Sequence, residues 1–267
     1  MCSSDLFDAH THIHDQRLSA VFSELTQKAV SARITGVCTC GTTQRDWNDV
    51  ARVADQPLPF VVLPAFGIHP WFSAMVTPAW ETELHGFLDR YPTALVGEIG
   101  LDGLRGDVPR DQQRNLLLRQ IEIAYGEQRS LVLHGARVWG ELTDILTQHR
   151  NQLKGFMVHG FSGSQEILRR ILNLGGYISI GGAVCNANAA KLRALVIDIP
   201  ESQLLLETDC PDLFPLQGHV LTHSQQQKPL NHPANLSVIC KTVAQLRHCT
   251  PDELSDSVGS NARRFFL

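Results

Sequence analysis

Residues 6–12 read LFDAHTH, a short apolar run that ends in two histidines one residue apart. In a strand, side chains two positions apart share a face, so His10 and His12 form a clasp on one rigid element. The same composition recurs along the chain. Apolar runs at Leu6–Ala9, Ile34–Cys38, Phe60–Phe66, Ala94–Ile99, Leu131–Leu133, Phe156–Val158, Tyr177–Ile180 and Leu204–Leu206 follow one another at a fairly even pitch. The stretches Arg17–Val30, Pro78–Arg90, Arg110–Arg129, Trp139–His149 and Ser164–Leu174 lie between them and carry helical periodicity with polar faces. Strand-like runs alternating with helix-like stretches predict a parallel sheet with crossover helices. The runs are apolar throughout, as strands covered on both faces are. Eight such units in about 260 residues fit a (β/α)8 barrel, an α/β fold in one domain over residues 1–267. A six-stranded open doubly wound sheet is the competing topology. Two more helices close the chain, Pro233–His248 and Pro251–Val258 running on toward Phe266, the second opened by Thr250-Pro-Asp-Glu as cap and acidic first turn.

Chemistry-bearing residues sit at the ends of these runs. Besides His10 and His12, they are Glu98 in ALVGEIGLD (94–102), His134 in LVLHGAR (131–137), His159 in FMVHGFSG (156–163) and Asp209 in LLLETDCPD (204–212). In a parallel barrel the C-terminal strand ends meet on one face, so four histidines and two carboxylates converge there. Imidazole nitrogen and carboxylate oxygen are the donors that zinc, manganese and similar cations take. One histidine at a strand end is more often structural than ligating, but this many placements of one kind are not independent. Six donors exceed one tetrahedral ion and favour two cations about 3.5–4 Å apart, with Glu98 as the natural bridge.

The rest of the composition excludes other classes. Of 267 residues, 43% are hydrophobic and 19% charged, an ordinary globular mix. The 23 Lys and Arg against 27 Asp and Glu leave a net charge of −4, so bulk charge does not draw the chain to a duplex or an anionic membrane. The seven cysteines are too few and too scattered for a disulfide scaffold and read as reduced thiols of a cytoplasmic protein. Cys38 and Cys40 have one-face strand spacing, not the spacing of a zinc or redox motif. MCSSDLFDAH (1–10) has no leader character, and no apolar run is long enough to span a bilayer. Asp8 reads equally as a partner behind His10 or as a turn residue. His14 and Asp15 read as the start of a loop. Pro211–His232, rich in Gln, His and Pro, reads as an irregular segment with its histidines in water.

FDAHTHIHD (7–15), FGIHPW (66–71), VGEIGLD (96–102), VLHGAR (132–137), VHGFSG (158–163) and LETDCPDL (206–213) together resemble the TatD family of metal-dependent deoxyribonucleases. The resemblance runs from residue 7 to residue 213. It implies a (β/α)8 barrel with two divalent ions per subunit, zinc, manganese or magnesium. His10, His12, Glu98 and Asp209 would hold one ion, and Glu98, His134 and His159 the other. Asp209 and Glu98 would be catalytic. His69 would lie near the substrate phosphate, with Arg137 as a second phosphate contact, although its spacing in H-G-A-R departs from the family pattern. Asn231-His232-Pro233 likewise departs from the family's late N-E-P. The substrate implied is nucleic acid or another phosphodiester, with no membrane and no obligate protein partner. The alternative is a barrel metallohydrolase acting on an ester or amide, such as an aminoacyl ester.

Overall fold

The computed structural model describes residues 5–267. Eight strands form one parallel sheet in sequential order: β1 (Leu6–Thr11), β2 (Ile34–Cys40), β3 (Val61–Phe66), β4 (Leu95–Asp102), β5 (Leu131–Ala136), β6 (Phe156–Val158), β7 (Tyr177–Ile180) and β8 (Leu204–Leu206). Each expected strand is present, and the doubly wound alternative is excluded because neighbours in sequence are neighbours throughout the sheet. The sheet curls until β8 returns to β1. There the His12 amide donates to the Cys210 carbonyl at 2.6 Å and the Asp209 amide to the His10 carbonyl at 3.0 Å.

The crossovers are α1 (Phe22–Ser31), α2 (Trp47–Ala54), α3 (Trp80–Arg90), α4 (Arg110–Gly126), α5 (Trp139–Gln148), α6 (Gln165–Asn173) and α7 (Ala190–Asp198). The stretch read as one helix from Arg17 splits, with a 3-10 helix over Gln16–Val21 before α1. α8 (Leu236–Arg247) and α9 (Pro251–Phe266) follow, and Thr250 and Glu253 cap α9 reciprocally as the sequence implies.

Two layers of core result. Between strands and helices pack Leu6, Phe66, Val96, Leu117, Leu142 and Ile171 with their neighbours. Inside the barrel, Phe7, Ala9, Leu63, Leu95, Val132, Met157 and Leu205 pack against Ala262 and Phe266 of α9. Phe7 and Phe266 stack with ring centres 4.7 Å apart. The C-terminal helix thus plugs the floor of the barrel and leaves the opposite end for function. Cys38 and Cys40 share the inner face as their spacing requires, with sulfurs 3.8 Å apart. All six cysteines described are free thiols; Cys2 lies outside the described residues. No described helix is long and apolar enough to cross a membrane.

Pro211–His232 is irregular apart from a two-residue ladder between β9 (Thr222–His223) and β10 (Pro229–Leu230). The reading of His232 as solvated is corrected here. It is buried, with Nε2 2.7 Å from the His219 carbonyl, because Asn231 and Asn235 bond to one another and to the surrounding backbone and draw the segment inward. His223 is exposed, as read.

Candidate metal centre

His10 lies within β1 and His12 one residue beyond it, and their Nε2 atoms meet 3.2 Å apart. Glu98 sits inside β4, with four strand residues after it, and its backbone N–H is held by the Gly41 carbonyl at 3.0 Å. The Gly97–Glu98 peptide is cis. His134 comes from β5, His159 from the residue after β6, and Asp209 from the turn three residues past β8. All six predicted donors therefore reach one end of the barrel.

The two oxygens of Glu98 divide the donors into two groups. Oε2 lies 3.4 Å from His10 Nε2 and 3.5 Å from His12 Nε2. Asp209 Oδ1 completes that group at 3.5 and 3.4 Å from the same nitrogens. Oε1 faces the other way, 3.0 Å from His134 Nδ1 and 2.7 Å from His159 Nε2. Metal–ligand bonds of about 2.0–2.1 Å place the corners of a coordination tetrahedron roughly 3.3–3.4 Å apart. The first group's spacings, 3.2 to 3.5 Å, match that edge, so these residues fit a divalent cation.

Hydrogen bonds behind the imidazoles decide which nitrogen is free, a tautomer assigned from partners. His12 Nδ1–H donates to the Cys40 carbonyl at 2.7 Å, leaving Nε2 as a donor toward the centre. His134 Nε2–H donates to Asp102 Oδ2 at 2.8 Å, leaving Nδ1. His10 Nδ1 contacts the Cys40 sulfur at 3.3 Å. His159 Nδ1 is 3.7 Å from Glu207 Oε1, whose tighter bond is to the Gly160 amide at 2.6 Å. Asp102 and Glu207 are wholly buried carboxylates that the sequence reading missed, although both lie inside its motifs. Such partners fix ring orientation and raise ligand basicity.

His69 is different. Its Nδ1 accepts the Trp71 amide hydrogen at 3.1 Å, so the proton sits on Nε2, 3.4 Å from Glu98 Oε1. In that tautomer it can donate toward the centre but cannot ligate. Burial pushes its pKa down to about 3, so it stays neutral in ordinary buffers.

The electrostatics are those of a cation-seeking site. Burial opposes ionisation of Glu98, yet the facing imidazoles of His159, His69 and His10 outweigh it and hold the carboxyl well below its usual range. Burial likewise opposes ionisation of Asp209, and the His12 hydrogen bond overcomes it. Burial disfavours a charged His12, but Asp209 and Glu98 raise its pKa to about 9. His159 is also raised against burial, chiefly by Glu98.

Above the donors opens a cavity of about 1000 Å3 lined by Trp71, Phe72, Leu104, Ser162, Arg17 and Arg45 among others. Arg137 is exposed one residue beyond β5, with φ of 58°, and is not among the residues lining this cavity. Arg17 is bound to both Asp15 and Asp212. Arg45 is exposed and makes no ion pair with any described residue, so it is a lining cation free to meet an anion. Nothing in its local sequence, TTQRDW, marks it. Asp8 lies within β1 rather than in a turn, and its carboxyl bonds Thr208 across the seam. His14 begins a loop as read, but is buried in the cavity wall with Nδ1 3.0 Å from Thr39 Oγ1.

A barrel with this donor set defines a metal-dependent hydrolase, and comparison with known proteins agrees. The sequence profile described as "TatD related DNase" matches residues 7–267. The chain is 30% identical over 262 residues to the metal-dependent hydrolase YjjV of Escherichia coli (strain K12), covering 97% of this chain and 96% of that one. It is 29% identical over 266 residues to the 3'-5' ssDNA/RNA exonuclease TatD of Pantoea sp. (strain At-9b), covering 98% and 99%. The crystal structure of Escherichia coli YjjV superposes with a TM-score of 0.87 at 28% identity, over 98% of this chain and 97% of that one. The chain belongs to the TatD family of metal-dependent hydrolases.

Proposed function

We propose that the protein is a phosphodiesterase acting on single-stranded nucleic acid with the aid of two divalent cations, both of which Glu98 would help to hold. The observation that carries the reading is the split of Glu98, Oε2 toward His10 and His12 and Oε1 toward His134 and His159. His10, His12, Glu98 and Asp209 would hold one cation, and Glu98, His134 and His159 the other. Histidine and carboxylate donors suit zinc, manganese or magnesium in decreasing preference for nitrogen. Cations so held lower the pKa of a water toward about 7 and draw charge from a phosphoryl oxygen.

The chain's own residues do the rest. Asp209 lines the cavity, and its ionised carboxylate orients the attacking water and accepts its proton. His69 donates Nε2–H to a nonbridging oxygen, where the added negative charge gathers. Arg45 meets the phosphate from the cavity rim, and Arg137, further out, would meet only a longer strand. Trp71, whose ring carries the Arg105 guanidinium 5.2 Å from its centre on one side, and Leu104 offer apolar surface to a base. The substrate class is supported by the similarity to the 3'-5' ssDNA/RNA exonuclease TatD of Pantoea sp. (strain At-9b).

The test is hydrolysis of single-stranded DNA by wild type, Glu98→Ala and Asp209→Ala with manganese or zinc. Both variants should lose at least about a hundredfold in kcat/KM while remaining folded. Undiminished turnover overturns the assignment. Faster cleavage of a nitrophenyl carboxylate ester than of bis(p-nitrophenyl) phosphate would favour the ester reading.

A further inference from the structure

A second cavity of about 400 Å3 opens under the Pro211–His232 segment. It shares Arg17, Asp212 and Leu213 with the cavity over the metal centre. The wall between the two is an ion pair: Arg17 grips Asp212 through both terminal nitrogens, at 3.0 and 2.8 Å, while its Nε and Nη2 hold Asp15. The volume falls within the range of small-ligand sites, about 300–1000 Å3. Its lining is of two kinds. Leu213, Phe214 and Pro229 give an apolar face, while Ser224 and Lys228 give a donor and a positive charge.

Lys228 is set in place by the small hairpin. The Ser224 amide donates to the Lys228 carbonyl at 2.7 Å, the Lys228 amide to Ser224 Oγ at 3.2 Å, and Pro229 pairs with His223 in the ladder. The Lys228 ammonium is exposed and forms no ion pair with a described residue. Arg17, by contrast, is already neutralised by its two carboxylates. Lys228 is therefore the unspent charge of this cavity, and Phe214 its aromatic face. A cation and an aromatic ring lining one cleft are how proteins track a single strand, one gripping phosphate and the other stacking a base.

We propose that the second cavity is a subsite for the nucleotide next to the scissile phosphodiester, with its phosphate at Lys228 and its base on Phe214. This rests on the phosphodiesterase reading above and extends it: the strand crosses the Arg17–Asp212 bridge as it leaves the metal centre. A mononucleotide ester fills only the first cavity, whereas an oligonucleotide fills both.

The test compares wild type with Lys228→Glu, an exposed position where the fold is not at stake. Two substrates are used with manganese, bis(p-nitrophenyl) phosphate and a short single-stranded oligodeoxynucleotide. The ratio of kcat/KM on the oligonucleotide to that on the small ester should fall about tenfold in the variant. Fluorescence anisotropy with a labelled phosphorothioate oligonucleotide gives a readout free of turnover. There the slope of log affinity against log salt should shrink by about 0.7, the loss of one single-strand phosphate contact. An unchanged ratio together with an unchanged slope overturns the subsite. Failure of wild type to cleave the small ester overturns the phosphodiesterase reading instead, and the anisotropy result still decides the subsite.

Discussion

The Asp8 carboxylate and Thr208 face each other across the seam of the barrel. Asp8 Oδ1 accepts the Thr208 amide hydrogen at 2.8 Å and Oδ2 the Thr208 hydroxyl hydrogen at 2.5 Å, with all groups buried. Asp8 stands two residues before His10 in β1 and Thr208 directly before Asp209, so the pair fixes the spacing of two donors that come from opposite ends of the chain. Asp8→Ala leaves a buried amide and hydroxyl without an acceptor, at about 1–3 kcal/mol each. For a domain of this size that lowers Tm by roughly 2–4 °C per kcal/mol, read by thermal denaturation. Thr208→Val, which keeps the amide bond, should cost less. An unchanged Tm in Asp8→Ala would mean that the seam is held by the backbone bonds alone.

Asp102 acts on the metal centre from behind. It accepts His134 Nε2–H at 2.8 Å, and that bond drives its pKa down to about 2 despite burial. Asp102→Asn keeps the shape and removes the charge. Cation affinity, measured by competition with a chromophoric chelator, should drop about 10–100-fold. Equal affinity would show that His134 is oriented by Glu98 and His159 without help.

Arg45 is the cation of the main cavity that has no carboxylate partner among the described residues. Arg45→Ala should raise KM for single-stranded DNA about tenfold, in line with loss of one charge-assisted hydrogen bond, and move kcat little. Steady-state kinetics decide this, and a fall in kcat at constant KM would place Arg45 in the transition state rather than in binding.

His14 gives a pH dependence of known sign. Burial pushes its pKa down to about 3, with the His12 charge adding to the effect. The unfolded imidazole titrates near its ordinary value of about 6.5. Between those limits the unfolded chain binds a proton that the native chain refuses, so stability falls as pH falls from about 6.5. His14→Gln, which can still reach Thr39, should flatten the Tm-against-pH curve between about pH 6.5 and 4. A curve as steep as wild type would assign the acid sensitivity to His10, His69 and His232, whose imidazoles burial also holds below their ordinary range.

The strands were legible because burial on both faces writes them as unbroken apolar runs, and the six donors because each sits near the end of such a run. Two crossover helices were not read. α2 is only eight residues long, and its Asp46 turns back to bond the Thr42 and Thr43 amides rather than capping the helix. α7 carries Leu195, Val196 and Ile197 in a row with Ile197 exposed, so it has no clear stripe. The roles of Asp102 and Glu207 depend on which imidazole nitrogen turns inward, and spacing does not record that. His232 was misread because Gln- and His-rich composition suggests solvent, while the Asn231–Asn235 bond that buries it is tertiary.

One glycine beside the site makes the same point through an opposite pair of outcomes. Gly100 pairs with His134 in the β4–β5 ladder and has a φ of +151°, where side chains are strained. A Cβ there would fall 1.9 Å from the His134 carbonyl oxygen, and backbone cannot yield as a side-chain tip can. Gly100→Ala should therefore displace His134, lowering stability by about 2–4 kcal/mol and weakening cation binding with it. Gly86, exposed inside α3, has nothing within 4 Å of the added carbon. Gly86→Ala should raise stability by about 0.5–1 kcal/mol, because alanine loses less backbone entropy in a helix. Denaturant titration of the two variants reads both signs. A tolerated Gly100→Ala with wild-type cation affinity would show that His134 is positioned from its own helix-side neighbours and not by the close approach of β4.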